Sequence, residues 1–203
     1  MARARACFRY QRHLAQAAGD AIALQVAISA VASAFGTLGA EPRGPLRYVS
    51  LYSGAFDVFL RALRWVQEHS WPRASVVPIL AAEKRSSRRR LLQAEENYVH
   101  VVRSAARAAA TGLGEVDLLT ASPECPPLSK GRLLGGASAT VRQATAERAI
   151  RRFACVMARA IRNMQPRVII IEQVTGIATH YPGLLRTLLR KLRAADKAYA
   201  WMG

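Results

Sequence analysis

Three segments of this 203-residue chain place reactive side chains where strands give way to loops. In residues 116–132 an apolar run, Val116 to Thr120, ends at Pro123, Glu124 and Cys125, with Pro127, Ser129, Lys130 and Arg132 following. A thiol there is a potential nucleophile. Its reactivity depends on the thiolate fraction, which is a few per cent at neutral pH for an ordinary cysteine, so the cations of Lys130 and Arg132 bear on it. In residues 47–63 a strand-like stretch meets Tyr52, Ser53 and Gly54, then Phe56 and an apolar helix. In residues 166–177 the strand Val168 to Ile171 delivers Glu172 and then Gln173 and Val174. Glu83 closes a further strand, and such an acid can accept hydrogen bonds from a ribose diol or serve as a helix-start carboxylate.

Chemistry placed this way needs a scaffold that gathers strand ends. Strands are expected at Tyr48–Tyr52, Ser75–Ala82, Val99–Val102, Val116–Thr120 and Val168–Ile171. Helices are expected at Phe56–Glu68, Arg88–Glu96, Thr140–Met164 and Gly183–Asp196. Alternating strands and helices imply an α/β doubly wound, mostly parallel sheet, covered on both faces. In such a sheet the ligand crevice lies outside the carboxyl ends of the strands. Pro78, which has no N–H to give a ladder, weakens the strand at Ser75–Ala82 somewhat. A first helix is expected from Gly19, with Asp20 as N-cap and Ile22, Val26, Ile28, Val31 and Phe35 on its apolar side, ended by Gly36 and Gly39. Residues 39–45 read as a connector.

Composition bounds the function. Hydrophobic residues make up 51% of the chain, which supports a globular fold, and its length suits one domain, 1–203. A net charge of +17 points to a polyanionic partner, nucleic acid first, because neutralised phosphates release counterions. Cys7, Cys125 and Cys155 have no metal-ligand spacing and form no even disulfide set, so no metal is expected and an intracellular location follows. The apolar run 21–35 is about 15 residues against the roughly 20 of a membrane span. No membrane partner is expected.

Taken together, the three segments resemble the cytosine-5 DNA methyltransferase family. Its first motif, a strand followed by Phe-Ser-Gly, is matched by Tyr52, Ser53 and Gly54. Its nucleophile motif is matched by Asp117, Pro123, Cys125, Pro127 and Ser129, with Glu124 and Pro126 as departures. Its Glu-Asn-Val motif is matched by Glu172, Gln173 and Val174. Residues 16–26 are similar to the motif that normally closes these enzymes, with Gln16, Gly19, Asp20, Ala21 and Ile22 in register, which implies a circular permutation. The chain is then a helical segment, 1–40, followed by a Rossmann-like core, 46–203.

The resemblance implies methyl transfer from S-adenosylmethionine to C5 of cytosine in DNA. Cys125 is the implied nucleophile and Glu172 the residue that hydrogen-bonds the flipped base. Tyr52, Ser53, Gly54, Phe56, Glu83, Pro123, Asp20 and Ile22 are the implied cofactor contacts, and Ser129, Lys130 and Arg132 the implied nucleic-acid contacts. The family's acid beside adenine, expected just after the third strand, is replaced by Arg103 and Ser104. No counterpart of the family's target-recognition region is legible, so a second polypeptide carrying it is an expected partner. The alternatives are an inactive fragment or accessory subunit that binds nucleic acid, and an RNA cytosine-5 methyltransferase.

Overall fold

The strand Leu118–Ala121 is buried on both faces along its whole length, as a central parallel strand must be. A computed structural model of the chain describes residues 5–11, 16–36, 42, 44–54, 57–123, 128, 138–195 and 200–202, with the backbone alone at 5–11, 16–21, 174 and 200–202. Seven strands form one sheet: β1 (Arg5–Gln11), β2 (Gly44–Leu51), β3 (Ala74–Ala82), β4 (His100–Val102), β5 (Leu118–Ala121), β6 (Val168–Val174) and β7 (Ala200–Met202), in the order β4-β3-β2-β5-β6-β1-β7. Every pairing is parallel. Helices α1 (Gln16–Gly36), α2 (Val58–Ser70), α3 (Ser86–Glu95), α4 (Ala105–Ala109), α5 (Ala139–Met164), α6 (Gly176–His180) and α7 (Pro182–Ala195) make the connections.

Alternation along the strands divides the core in two. Leu46, Tyr48, Leu118, Val168 and Ile170 point toward the layer of α1, α2 and α3, where they meet Val31, Phe35, Leu60, Leu63 and Leu92. Val49, Leu51, Leu119, Ile169 and Ile171 point toward α4, α5 and α7 and meet Ala108, Phe153, Met157, Leu188 and Leu192. Each fully buried Leu or Ile contributes roughly 1.5–3 kcal/mol relative to an exposed one. The fold is thus an α/β sheet of the Rossmann-like kind, with helices on both faces. Helices change face between α3 and α4, so the crossing point in strand order lies between β2 and β5.

Several expectations need adjustment. Residues 1–40 are not wholly helical: Arg5–Gln11 forms β1 between β6 and β7. Helix α1 begins at Gln16, so Asp20 lies inside it and is not its N-cap. Val31 and Phe35 of α1 are buried as expected, whereas Ile22 is 41% exposed. The strand containing Pro78 is interior, between β2 and β4. It tolerates a residue without an N–H because the register with β2 shifts at this point, from Tyr48 opposite Pro78 to Val49 opposite Leu80. The bulge absorbs the missing ladder bond.

Candidate functional site at the carboxyl edge of the sheet

The ends of β2 and β5 converge at the crossing point. After Leu51 the backbone turns through Tyr52, at φ 64°, and Gly54, at φ 77°. The first is costly for a residue with a side chain, and the second is freely adopted by glycine. The turn is held from outside. Ser53 N–H donates to the Ala82 carbonyl at 3.1 Å, and Ser122 N–H to the Leu51 carbonyl at 3.2 Å. Gly54 N–H donates to Glu83 Oε2 at 3.0 Å, while Arg85 N–H donates to Glu83 Oε1 at 2.7 Å. Glu83 is buried, but each carboxylate oxygen keeps a further lone pair for a ligand hydroxyl.

A cleft of about 400 Å³ opens beside this turn on the α4 and α5 side. That is within the range of small-molecule sites. Tyr52, Leu128, Ile150, Phe153 and Val156 form its apolar wall, and Pro123 lines it. The Tyr52 and Phe153 rings are tilted, with centroids 6.0 Å apart. Gln173, buried at the end of β6, also lines the cleft. Lys84, Arg103, Ser104 and Arg152 supply its polar wall. Cations therefore stand where the family resemblance places an acid near adenine.

Glu172 follows the alternation of β6 onto the opposite side from Gln173. It faces the α1 and α2 layer and hydrogen-bonds the Ser122 side chain. Burial pushes its carboxyl above the ordinary 4.5, and the bond from Ser122 offsets this in part. Protonated carboxyl thus persists to higher pH here than at an exposed glutamate.

Beneath the turn lies a buried polar cluster that the sequence did not reveal. Asp57, the N-cap of α2, accepts from Phe59 N–H and Leu60 N–H, each at 3.1 Å. Tyr48 and Tyr98 hydroxyls donate to its two oxygens at 2.8 and 2.7 Å. Thr120 Oγ1 sits 2.6 Å from the Tyr48 hydroxyl and donates to Ser50 Oγ at 3.4 Å. Burial raises the Asp57 pKa above its ordinary value, with the hydrogen bonds pulling the other way. Burial also raises both tyrosines well above theirs. An Asp directly before an apolar helix was the available signal.

Of the residues singled out in the sequence, Tyr52 and Pro123 line the cleft, Ser53 and Gly54 form its turn, and Glu83 fixes that turn. Glu172 shares the carboxyl edge and faces the other side. Ile22 is not among the lining residues, and for Asp20 only the backbone in α1 is described. Cys125, Phe56, Ser129, Lys130 and Arg132 lie outside the described residues. Arg152 and Phe153 were missed as lining residues because they reach the cleft from α5, and Lys84 because it follows the end of β3 with no motif of its own; Gln173, noted beside Glu172, lines the cleft by strand alternation. Asp117 sits at the amino end of β5, where it accepts from Arg47 N–H at 2.8 Å and Arg167 Nη1 at 3.0 Å, so its role is to fasten strands. Among the described residues no acidic, His and Cys side chains cluster as a metal site. No helix among them is long and apolar enough to cross a membrane. No protein-family model matches the chain, and no curated protein matches it.

Proposed function

We propose that the chain is a cytosine-5 methyltransferase acting on DNA. One observation supports this reading: β2, β5 and β6, the strands that lead into the segments resembling the family's cofactor, nucleophile and base-binding motifs, end side by side at one carboxyl edge, next to the crossing point in strand order where such sheets bind ligands. The apolar slot beside Tyr52 suits an adenine ring. Glu83, fixed by two backbone N–H groups, suits a ribose diol.

In this proposal Tyr52, Ser53, Gly54, Glu83 and Pro123 would hold S-adenosylmethionine, which would supply an electrophilic methyl group. Cys125, two residues beyond Pro123, attacks C6 of a cytosine extruded from the stack. The new Cys125–C6 bond would push electron density to C5, which would take the methyl group as the sulfonium S–CH3 bond breaks and a neutral thioether leaves. Loss of the C5 proton then expels the thiolate and restores the ring. Glu172 hydrogen-bonds N3 and the exocyclic amine. Burial, which raises its pKa, makes it easier for this carboxyl to take up the proton that it donates to N3 while accepting from the amine.

Transfer of a labelled methyl group to duplex DNA, with a transfer-RNA arm, tests the proposal. The expected result is little incorporation by the chain alone and, with a polypeptide carrying the recognition region, incorporation into C5 that is abolished in Cys125→Ala, with S-adenosylmethionine binding weakened in Glu83→Ala. No calorimetric heat and no thermal shift at millimolar S-adenosylmethionine would overturn it.

Lys84, Arg103 and Arg152 on the cleft favour a second reading, an accessory chain that binds nucleic acid without turnover. Under that reading incorporation appears only when a partner polypeptide carrying the recognition region is added, and survives Cys125→Ala because the partner supplies the nucleophile.

A further inference from the structure

The positive charge is not spread evenly over the two helical layers. Helix α7 carries Arg186, Arg190, Lys191 and Arg193 and no acid. Helix α5 carries arginines along its whole length with Glu147 as its only acid. On the other face α1 holds no Lys or Arg at all, Arg61 and Arg64 of α2 are both bound to Glu96, and the cations of the short α3 are confined to Arg88, Arg89 and Arg90.

Helices α5 and α7 run side by side, and a groove follows their seam. At one end its walls include Glu147, Arg151, Thr187 and Lys191, and at the other Cys155, Ala158, Arg162 and Lys191. Arg151, Cys155, Ala158 and Arg162 form one stripe of α5 by helical spacing. At 1.5 Å per residue, Arg151 and Arg162 stand roughly 16 Å apart, with small side chains between them. Arg151, Arg162 and Lys191 make no ion pair among the described residues.

We infer that this groove is a docking surface for the sugar-phosphate backbone of double-stranded DNA. Along a duplex each strand presents a phosphate about every 3.4 Å of axis, so a span of roughly 16 Å faces several charges at once. Small residues between the cations, Cys155 and Ala158, let a backbone approach. A membrane surface fits poorly: the apolar side of α7, Leu188 and Leu192, is buried in the core, and the large exposed apolar side chains are Ile22, Trp65, Leu91, Val99 and Val141, none of them on α7. The inference shares with the proposed methyl transfer its nucleic-acid partner; the groove and the cleft flank the same stretch of α5, with Ile150 lining both, but Arg151, Arg162 and Lys191 do not line the cleft.

The test compares the full chain with Arg151→Ser/Arg162→Ser/Lys191→Ser and with Arg88→Ser/Arg90→Ser on α3, by anisotropy of a labelled duplex between about 50 and 200 mM salt. The expected result is an affinity loss of at least about tenfold for the first variant, with the log–log salt slope shallower by roughly 2.7, and a much smaller loss for the second. Cys155, exposed within the groove, gives an independent readout: bound duplex should slow its alkylation, mapped by mass spectrometry. Unchanged affinity and slope in the triple variant with a native unfolding midpoint would overturn the inference, as would faster release from DNA than from vesicles of anionic phosphatidylserine at equal salt. A chain that binds duplex through this groove but takes no S-adenosylmethionine leaves the inference standing and removes methyl transfer. Methyl transfer with unaltered binding in the triple variant does the reverse.

Discussion

The two helical layers use their charged groups differently. On the α1, α2 and α3 side two acids are turned inward: Glu96 is almost completely buried beneath Arg61 and Arg64, and Asp57 is enclosed by two tyrosines and the start of α2, while the arginines of α3 stay half-buried or exposed. On the α5 and α7 side the cations stand in solvent above an apolar core. The same residue types are therefore tied into the fold on one face and left in solvent on the other. Burial and pairing separate the roles, where composition alone cannot.

The sharpest way to break this contrast is Asp57→Ala. It removes the α2 cap and strands two buried hydroxyls, so unfolding in urea should show a loss on the order of 3 kcal/mol. A loss below about 1 kcal/mol would mean that the cluster holds nothing together. Glu96→Ala comes next. Arg61 and Arg64 are partly exposed and can rehydrate, so the expected cost is about 1–2 kcal/mol, less than for a fully buried pair.

Glu172→Gln probes pH dependence. A carboxyl whose folded pKa is raised contributes stability that is present below the ordinary value of 4.5 and is lost as pH rises through the folded value. At neutral pH the wild type thus bears the desolvated charge. Glu172→Gln should unfold at higher urea than wild type at pH 7, and the advantage should vanish below pH 4.5. An advantage that grows toward acid would reverse the assignment. The smallest effect is expected for Arg190→Ala and Arg193→Ala on α7, each within about 0.5 kcal/mol of wild type. A larger cost would show that these cations support the fold after all.

The central strands and the helices around them were legible because parallel strands buried on both faces read as apolar runs, as in Val168–Ile171 and Leu118–Ala121. β1 was not, since Arg-Ala-Cys-Phe-Arg-Tyr-Gln mixes charge with apolar residues and resembles a solvated segment. The turn residues Tyr52, Ser53 and Gly54 and the acid Glu83 could be picked out by their place after strands. Asp57 with Tyr48, Tyr98 and Thr120 could not, because that cluster joins four distant segments through tertiary packing. The same holds for Arg152 and Phe153, which reach the cleft only because α5 is packed beside it.

The position of β1 has a consequence for synthesis. Arg5 pairs with Val168 and also with Ala200, so both neighbours of this strand are encoded far downstream. At roughly 5–20 residues per second, the strand spends on the order of ten to thirty seconds outside the ribosome before β6 is available. During that interval β2, β3, β4 and β5 can assemble, leaving the β5 edge open to whichever strand arrives first. The arginines that mark β1 as charged then act as a delay: they keep the nascent segment hydrated, and discourage pairing with another chain, until its own partners emerge.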